Sequence, residues 1–501
     1  MKKVILCAVA LVFGTFAYAQ VGGAPVADQS LVPDNSASAE SNAGLSIQNG
    51  DDNRVRVRQA GELNTVYTEQ DNGTGLGGNL ARVMQTGDVN GNQADSGEDN
   101  AAEVRQSGSA NQSTTVQEGD FNNAYTAQGQ NDAASSGNKA LIRQGTGNQA
   151  ESNYAAIEQD GSGNQAQTQQ TYDNSDAWTR QMGTDNKSMI SQNAAPEASF
   201  GHEAENFQNG DRNESSINQM GAGARNTART FQTGDDNQAK QDQTTNSALA
   251  GMGNRAGIGQ GQDGFGAFQF STITPVAVAL HGRIDSEVDG SADPLSTTSA
   301  ASIGAKAKQV QAGKLQEADI MQFGGTVGAS NYAEQVQASG WNNDAGIVQG
   351  HFNIGETSNY AKQYQAGDNN TAGLVQEGSG FKALQDQRGH RNEALSYQTG
   401  EDNLLNIHQR GNDNDATSTQ HGLANQALIV QRGGQSFVAQ QNMGLGSSDL
   451  SDGGNQIDAL QLGPNGDFGT DGIDCDFEDP MDLDMDYTVP GFDLGDVCPD
   501  C

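Results

Sequence analysis

A step of 11 residues governs this chain. From Gln365 the glutamines Gln376, Gln387, Gln398, Gln409, Gln420 and Gln431 follow at that interval without a break. Asparagines keep the same beat. In "NLLNIHQRGNDNDATSTQHGLANQALIVQ" the seven-residue segments Asn403 to Gln409, Asn414 to Gln420 and Asn425 to Gln431 are joined by four-residue links. The pattern QxGxxN occurs 14 times, first at Gln48 and last at Gln420. An internal repeat of this kind overrides the size prior by which such a length would be divided into about three globular domains.

Inside each segment the period is two. In "NRVRVRQ", Asn53, Val55, Val57 and Gln59 share one parity and Arg54, Arg56 and Arg58 the other. The same small or aliphatic alternation appears in Asn138-Ala140-Ile142-Gln144, Asn343-Ala345-Ile347-Gln349 and Asn425-Ala427-Ile429-Gln431. Successive side chains of a strand point to opposite faces, so this is a strand with one buried face. The glycine of QxGxxN suits a turn that needs a permissive backbone. Two strand-and-turn halves make a rung of about 22 residues, which predicts an all-β fold: a two-sheet parallel β-solenoid of about 17 rungs.

Composition alone would argue for disorder, since only 34% of residues are hydrophobic and the formal charge is -37 with a mean hydropathy of -0.67. Regular placement reverses that reading. Identical amides about 4.8 Å apart can each donate to and accept from the next rung. Asn370, Asn392 and Asn414 should therefore stack, as should Asn403 with Asn425, Gln376 with Gln398 and Gln420, and Gln387 with Gln409 and Gln431. Leu395, Tyr397 and His408 fall on the outward parity. Ser175, His202 and Phe381 stand where the rhythm calls for Asn.

The rest of the chain divides around the repeat. Residues 1–19 read as a signal peptide ending in Ala17-Tyr18-Ala19, with no membrane span in the mature chain. Residues 20–41 read as a flexible leader, 42–261 and 305–461 as repeat arrays, 262–304 as a non-repeat insert, and 462–501 as an acidic tail holding Cys475, Cys498 and Cys501. Removal of the signal makes the charge about -39, which disfavours nucleic acid and anionic membrane as partners. No cofactor motif is present. The six histidines lack zinc-site spacing, and no catalytic cluster of acids stands out, so an enzyme is not expected. Asp482, Asp484 and Asp486 are weak calcium candidates because they supply hard oxygen ligands.

These repeats resemble curlin repeats, the units of bacterial curli amyloid subunits, whose pattern is QxGxxNxA followed by another Gln. Asn122-Ala124, Asn164-Ala166, Asn237-Ala239, Asn370-Ala372, Asn392-Ala394, Asn414-Ala416 and Asn425-Ala427 carry the NxA part. The resemblance implies an exported subunit of extracellular fibres, active in cell adhesion and biofilm matrix. It also implies as partners further copies of the chain, other curli subunits and an outer-membrane secretion channel. The chain is far longer than usual for that family and adds the insert and the tail. A monomeric surface solenoid that binds a carbohydrate or host ligand along one face is the other reading.

Overall fold

In the computed structural model the described residues are 24–32, 42–72, 77–86, 99–131, 134–145, 150–194, 201–221, 225–245, 253–261, 275–284, 301–325, 329–350, 358–441 and 453–463. They form an all-β solenoid of two parallel sheets. Strands alternate between the sheets along the chain, and each sheet has an unbranched path of 15 strands. The first sheet runs from Ala43–Asn49 to Ser436–Gln441 and the second from Arg54–Gln59 to Gln456–Leu462. This gives 15 rungs where about 17 were expected. Ala150–Glu151 and Ser302–Ile303 are two further two-residue strands that extend turns and pair beside the main ladders.

Pairing places like on like. Asn370 N–H donates to Asn343 while Thr371↔Glu393, Ala372↔Ala394, Leu374↔Ser396 and Gln376↔Gln398 lie side by side. Alanine and aliphatic columns fill the space between the sheets, with Ala361, Ala383, Leu405 and Ala427 on one and Ile347, Leu374, Ala394 and Ala416 on the other. The ring centroids of Tyr332 and Tyr360, on adjacent strands, lie 4.8 Å apart with parallel planes, a direct reading of the rung spacing. The insert does not break the stack. Lys306–Ala312 pairs onto Gln238–Thr245, and Glu317–Gln322 onto Arg255–Gln260, so the two arrays are continuous.

Turns of the QxGxxN type among the described residues use two left-handed residues, of which the sequence pattern advertises only one. At Gly400 φ is +105°, and an added Cβ would meet the Gly422 carbonyl oxygen at 2.2 Å, so only glycine fits. Two residues on, Asp402 has φ +55°, and Arg391 and Asp413 repeat that conformation before their own Asn. Short polar side chains tolerate this region better than branched ones, which explains the frequency of Asp and Asn there.

The outer face of the first sheet is covered where the sequence predicted exposure. Helix α1, Pro275–Arg283, lies inside the insert and presents Ala277, Leu280, His281 and Ile284 to that face at helical spacing. It packs on Met321, Val348, Val375, Leu395 and Tyr397. Leu395 and Tyr397 do point away from the solenoid core, yet both are buried. Room for the helix comes from Gly346 and Gly373, since a Cβ on Gly346 would lie 2.8 Å from Leu280 Cδ1 and 3.1 Å from Ala277 Cα. The helix starts at Asp319, whose Oδ2 accepts from Val276 N at 2.5 Å and Ala277 N at 3.3 Å. Nearer the first rungs, residues 24–32 of the leader, expected to be flexible, also lie on this face. Ala27 N donates to Asn123 Oδ1 at 3.0 Å and Asp28 N to Glu103 Oε2 at 2.7 Å.

Gly346→Val tests the seat of the helix. It should cost about 1 to 3 kcal/mol and loosen α1 while the ladders stay intact. Hydrogen exchange is the readout: protection should fall across 275–283 and remain at 371–379. Equal protection of α1 in both proteins would mean that the glycine does not position it.

Candidate functional site

The repeated side chains build one continuous feature, a pair of glutamine ladders along the interior. In the first sheet every glutamine from Gln48 to Gln441 donates Nε2–H to the Oε1 of the next rung, at 2.7 to 2.9 Å. The second sheet does the same from Gln59 to Gln461, at 2.8 to 3.0 Å. Gln376, Gln398 and Gln420 belong to the first column, and Gln387, Gln409 and Gln431 to the second. The other amide hydrogen crosses between sheets. Gln387 donates to Thr371 O at 2.9 Å, Gln409 to Glu393 O at 2.7 Å and Gln431 to Asp415 O at 2.8 Å. One side chain thus ties a rung to its successor and one sheet to the other, a second role that spacing alone did not reveal.

The asparagine columns run the opposite way, with each later rung donating to the earlier one. Asn392 Nδ2 donates to Asn370 Oδ1 at 3.1 Å, Asn414 Nδ2 to Asn392 Oδ1 at 2.8 Å, and Asn425 Nδ2 to Asn403 Oδ1 at 3.0 Å. The same amides close the turns: Asn392 Nδ2 donates to Gly411 O at 2.9 Å and Asn403 Nδ2 to Gly422 O at 3.1 Å. All five are buried. A buried amide left without partners would cost a few kcal/mol, so the columns remove a penalty as well as adding bonds.

Where Asn is replaced, the column adapts. Phe381 fills its place by bulk and is fully buried. His202, standing in the Asn place, is inside like the asparagines: its Nδ1 accepts from Asn226 N at 3.3 Å, as an amide oxygen would, and Nε2 lies 3.3 Å from Asn193 O. Burial pushes its pKa down to about 4. His408, expected to be exposed, is also buried, on the outer side of the second sheet.

Titratable groups with raised values cluster under helix α1. Burial lifts Asp319 to about 6 against the pull of Arg255, and lifts Asp344 to about 7 with help from Glu317 and Asp319. Asp319 is fully covered and caps the helix, a structural use that accounts for it. Asp386 is held below the ordinary carboxylate range because Arg410 and Arg388 outweigh its burial. Among the described residues no group of three or more His, Cys, Asp or Glu is placed to hold a metal ion, and no helix is long and apolar enough to cross a membrane. Asp482, Asp484, Asp486 and the signal segment lie outside the described residues. The chain matches no protein-family model and no curated protein.

His202 generates a pH prediction. An unfolded histidine near 6.5 takes up a proton that the folded site refuses until about pH 4, so its contribution is whole above about pH 6.5 and is lost as pH falls toward 4, by up to about 3 kcal/mol. His202→Asn restores an amide oxygen and should flatten the stability profile over that window. Denaturant melts at pH 7, 5.5 and 4 measure it, and an unchanged slope in the variant would contradict the assignment.

Proposed function

We propose that the chain is an exported structural subunit that stacks end to end into extracellular curli-like amyloid fibres, serving adhesion and biofilm matrix. The reading is supported above all by the two ends of the ladder. Among the described residues no strand pairs with the outer edge of Ala43–Asn49 or Arg54–Gln59 at the start, or of Ser436–Gln441 or Gln456–Leu462 at the finish. Open edges without proline or a blocking bulge are templates for another chain.

The two ends are also complementary. Continuing the register by one rung places Ser436–Gln441 on the next copy's Ala43–Gln48 and Gln456–Gln461 on its Arg54–Gln59. Gln441 and Gln461, the last donors of their columns, then face Gln48 Oε1 and Gln59 Oε1, which have no donor among the described residues. Asn53 faces Asn455 Oδ1 in the reverse sense. Bulky Phe437 lies over Gly44, and Asp458 lies beside Arg56. The opposed polarity of the two amide columns permits a head-to-tail joint and no other.

Electron microscopy of the mature protein should show fibres many times longer than the roughly 70 Å of one stack of 15 rungs. Arg54 N and Ala60 N bond inward to Asn79 and Gln85, so by strand alternation Val57 N–H faces the open edge. Val57→Pro should abolish fibres and leave discrete rods. Rods from the unaltered protein would favour the monomeric adhesin, and fibres from the variant at the same rate would contradict the joint through this edge.

A further inference from the structure

The first rungs of the second sheet carry an arginine patch in a chain of net charge -37. Arg54, Arg56 and Arg58 project from the edge strand, all exposed, and Arg82 is the register partner of Arg56. Like charges on adjacent rungs repel, and elsewhere on this face each such load is relieved: Glu214 lies 2.8 Å from Lys187, Glu334 lies 3.1 Å from Lys308 and 3.4 Å from Lys362, and Asp386 takes Arg410 at 2.9 Å. Among the described residues no carboxylate lies within ion-pair distance of Arg54, Arg56 or Arg82. Among the described residues no strap crosses this face either, since α1 and residues 24–32 both lie on the first sheet.

The other end of the same sheet supplies the complement. Its last strand ends at Leu462, and Gly463 N still bonds in register to Arg432 O at 2.8 Å. The 38 residues that follow contain 12 carboxylates and no Lys or Arg. In a head-to-tail stack Leu462 is one rung, about 4.8 Å, from the second-sheet edge strand of the next copy. Within one chain the same patch is 14 rungs away, about 70 Å.

We infer that the acidic segment 464–501 of one copy docks on the Arg54, Arg56, Arg58 and Arg82 patch of the next and clamps the joint. The inference rests on the stacking reading above and names the groups that secure it. It converts charge that would oppose association into charge that favours it across one interface, and it orients growth, because only one end bears the patch and only the other bears the acids.

The test uses the mature full chain carrying Arg54→Lys, Arg56→Lys and Arg82→Lys, which keeps the charge and makes it reactive to zero-length carbodiimide coupling with carboxylates. Copies labelled with 14N and 15N are mixed, assembled, coupled and mapped by mass spectrometry. Cross-links from these lysines to Asp467–Asp500 are expected, with both isotopes in one linked pair. In parallel, Arg54→Gln with Arg56→Gln and Arg82→Gln should slow fibre elongation at least tenfold at low salt, whereas Lys306→Gln with Lys308→Gln should not. Coupling only to Asp51, Asp52 or Glu62, or only within one isotope, overturns the clamp. Fibres without tail cross-links overturn it while leaving the stacking reading in place. Mixed-isotope tail cross-links in soluble dimers that never form fibres overturn the stacking reading and, with it, the clamp as the fastener of a joint. If the Gln variant instead loses tenfold affinity for a polyuronate or DNA and no tail cross-links form, the patch serves an external polyanion and the inference fails.

Discussion

A glutamine amide buried between two sheets and bonded to its own copy one rung away is the interaction on which this structure depends. Burying so many amides is affordable only because repetition supplies partners, each side chain giving one hydrogen along the stack and one across it. That demand explains the rigid register. A slip of one residue would reverse every side chain, whereas added length in a link costs little. The insert of residues 262–304 obeys the rule, because Gln243 bonds to Gln311 at 2.8 Å as if nothing lay between them.

The same interaction has no internal stop. Among the described residues a column of donors and acceptors ends on an acceptor without a donor at Gln48 and on a last donor at Gln441, and the asparagine columns run in the reverse direction. The stack therefore has two different ends that suit each other. The faces differ as well. The first sheet is strapped by α1 and residues 24–32, and among the described residues the second has no such cover. Matching ends and this difference between the faces support the assembly proposed above, with the net charge of the chain a poor guide to the local field.

Much of this was legible in the sequence, because period two and the 11-residue step are both consequences of the ladder. Asn370, Asn392 and Asn414 lie where the rhythm put them, and so do Gln387, Gln409 and Gln431. What escaped notice sits on the outward parity. Met321, Val348, Val375 and Tyr397 occupy one outward position on four successive rungs, an apolar row that signals a cover, and Gly346 and Gly373 beside them mark the groove. Single-segment reading missed the row because its members are separated by about 22 to 27 residues. The place of His202 in the Asn column was legible from the rhythm, but not that its ring nitrogen imitates an amide oxygen, because spacing carries no side-chain chemistry.

The central claim is that interior glutamine side chains are structural hydrogen-bond partners and not solvated polar groups. Side-chain amide exchange, followed by NMR with selective labelling, reads this directly. The account predicts that the Gln387 and Gln409 NH2 groups, both fully buried, exchange at least about a hundredfold more slowly than the exposed Gln426 NH2 two residues into the neighbouring link-to-strand junction. Comparable exchange rates for all three would contradict it.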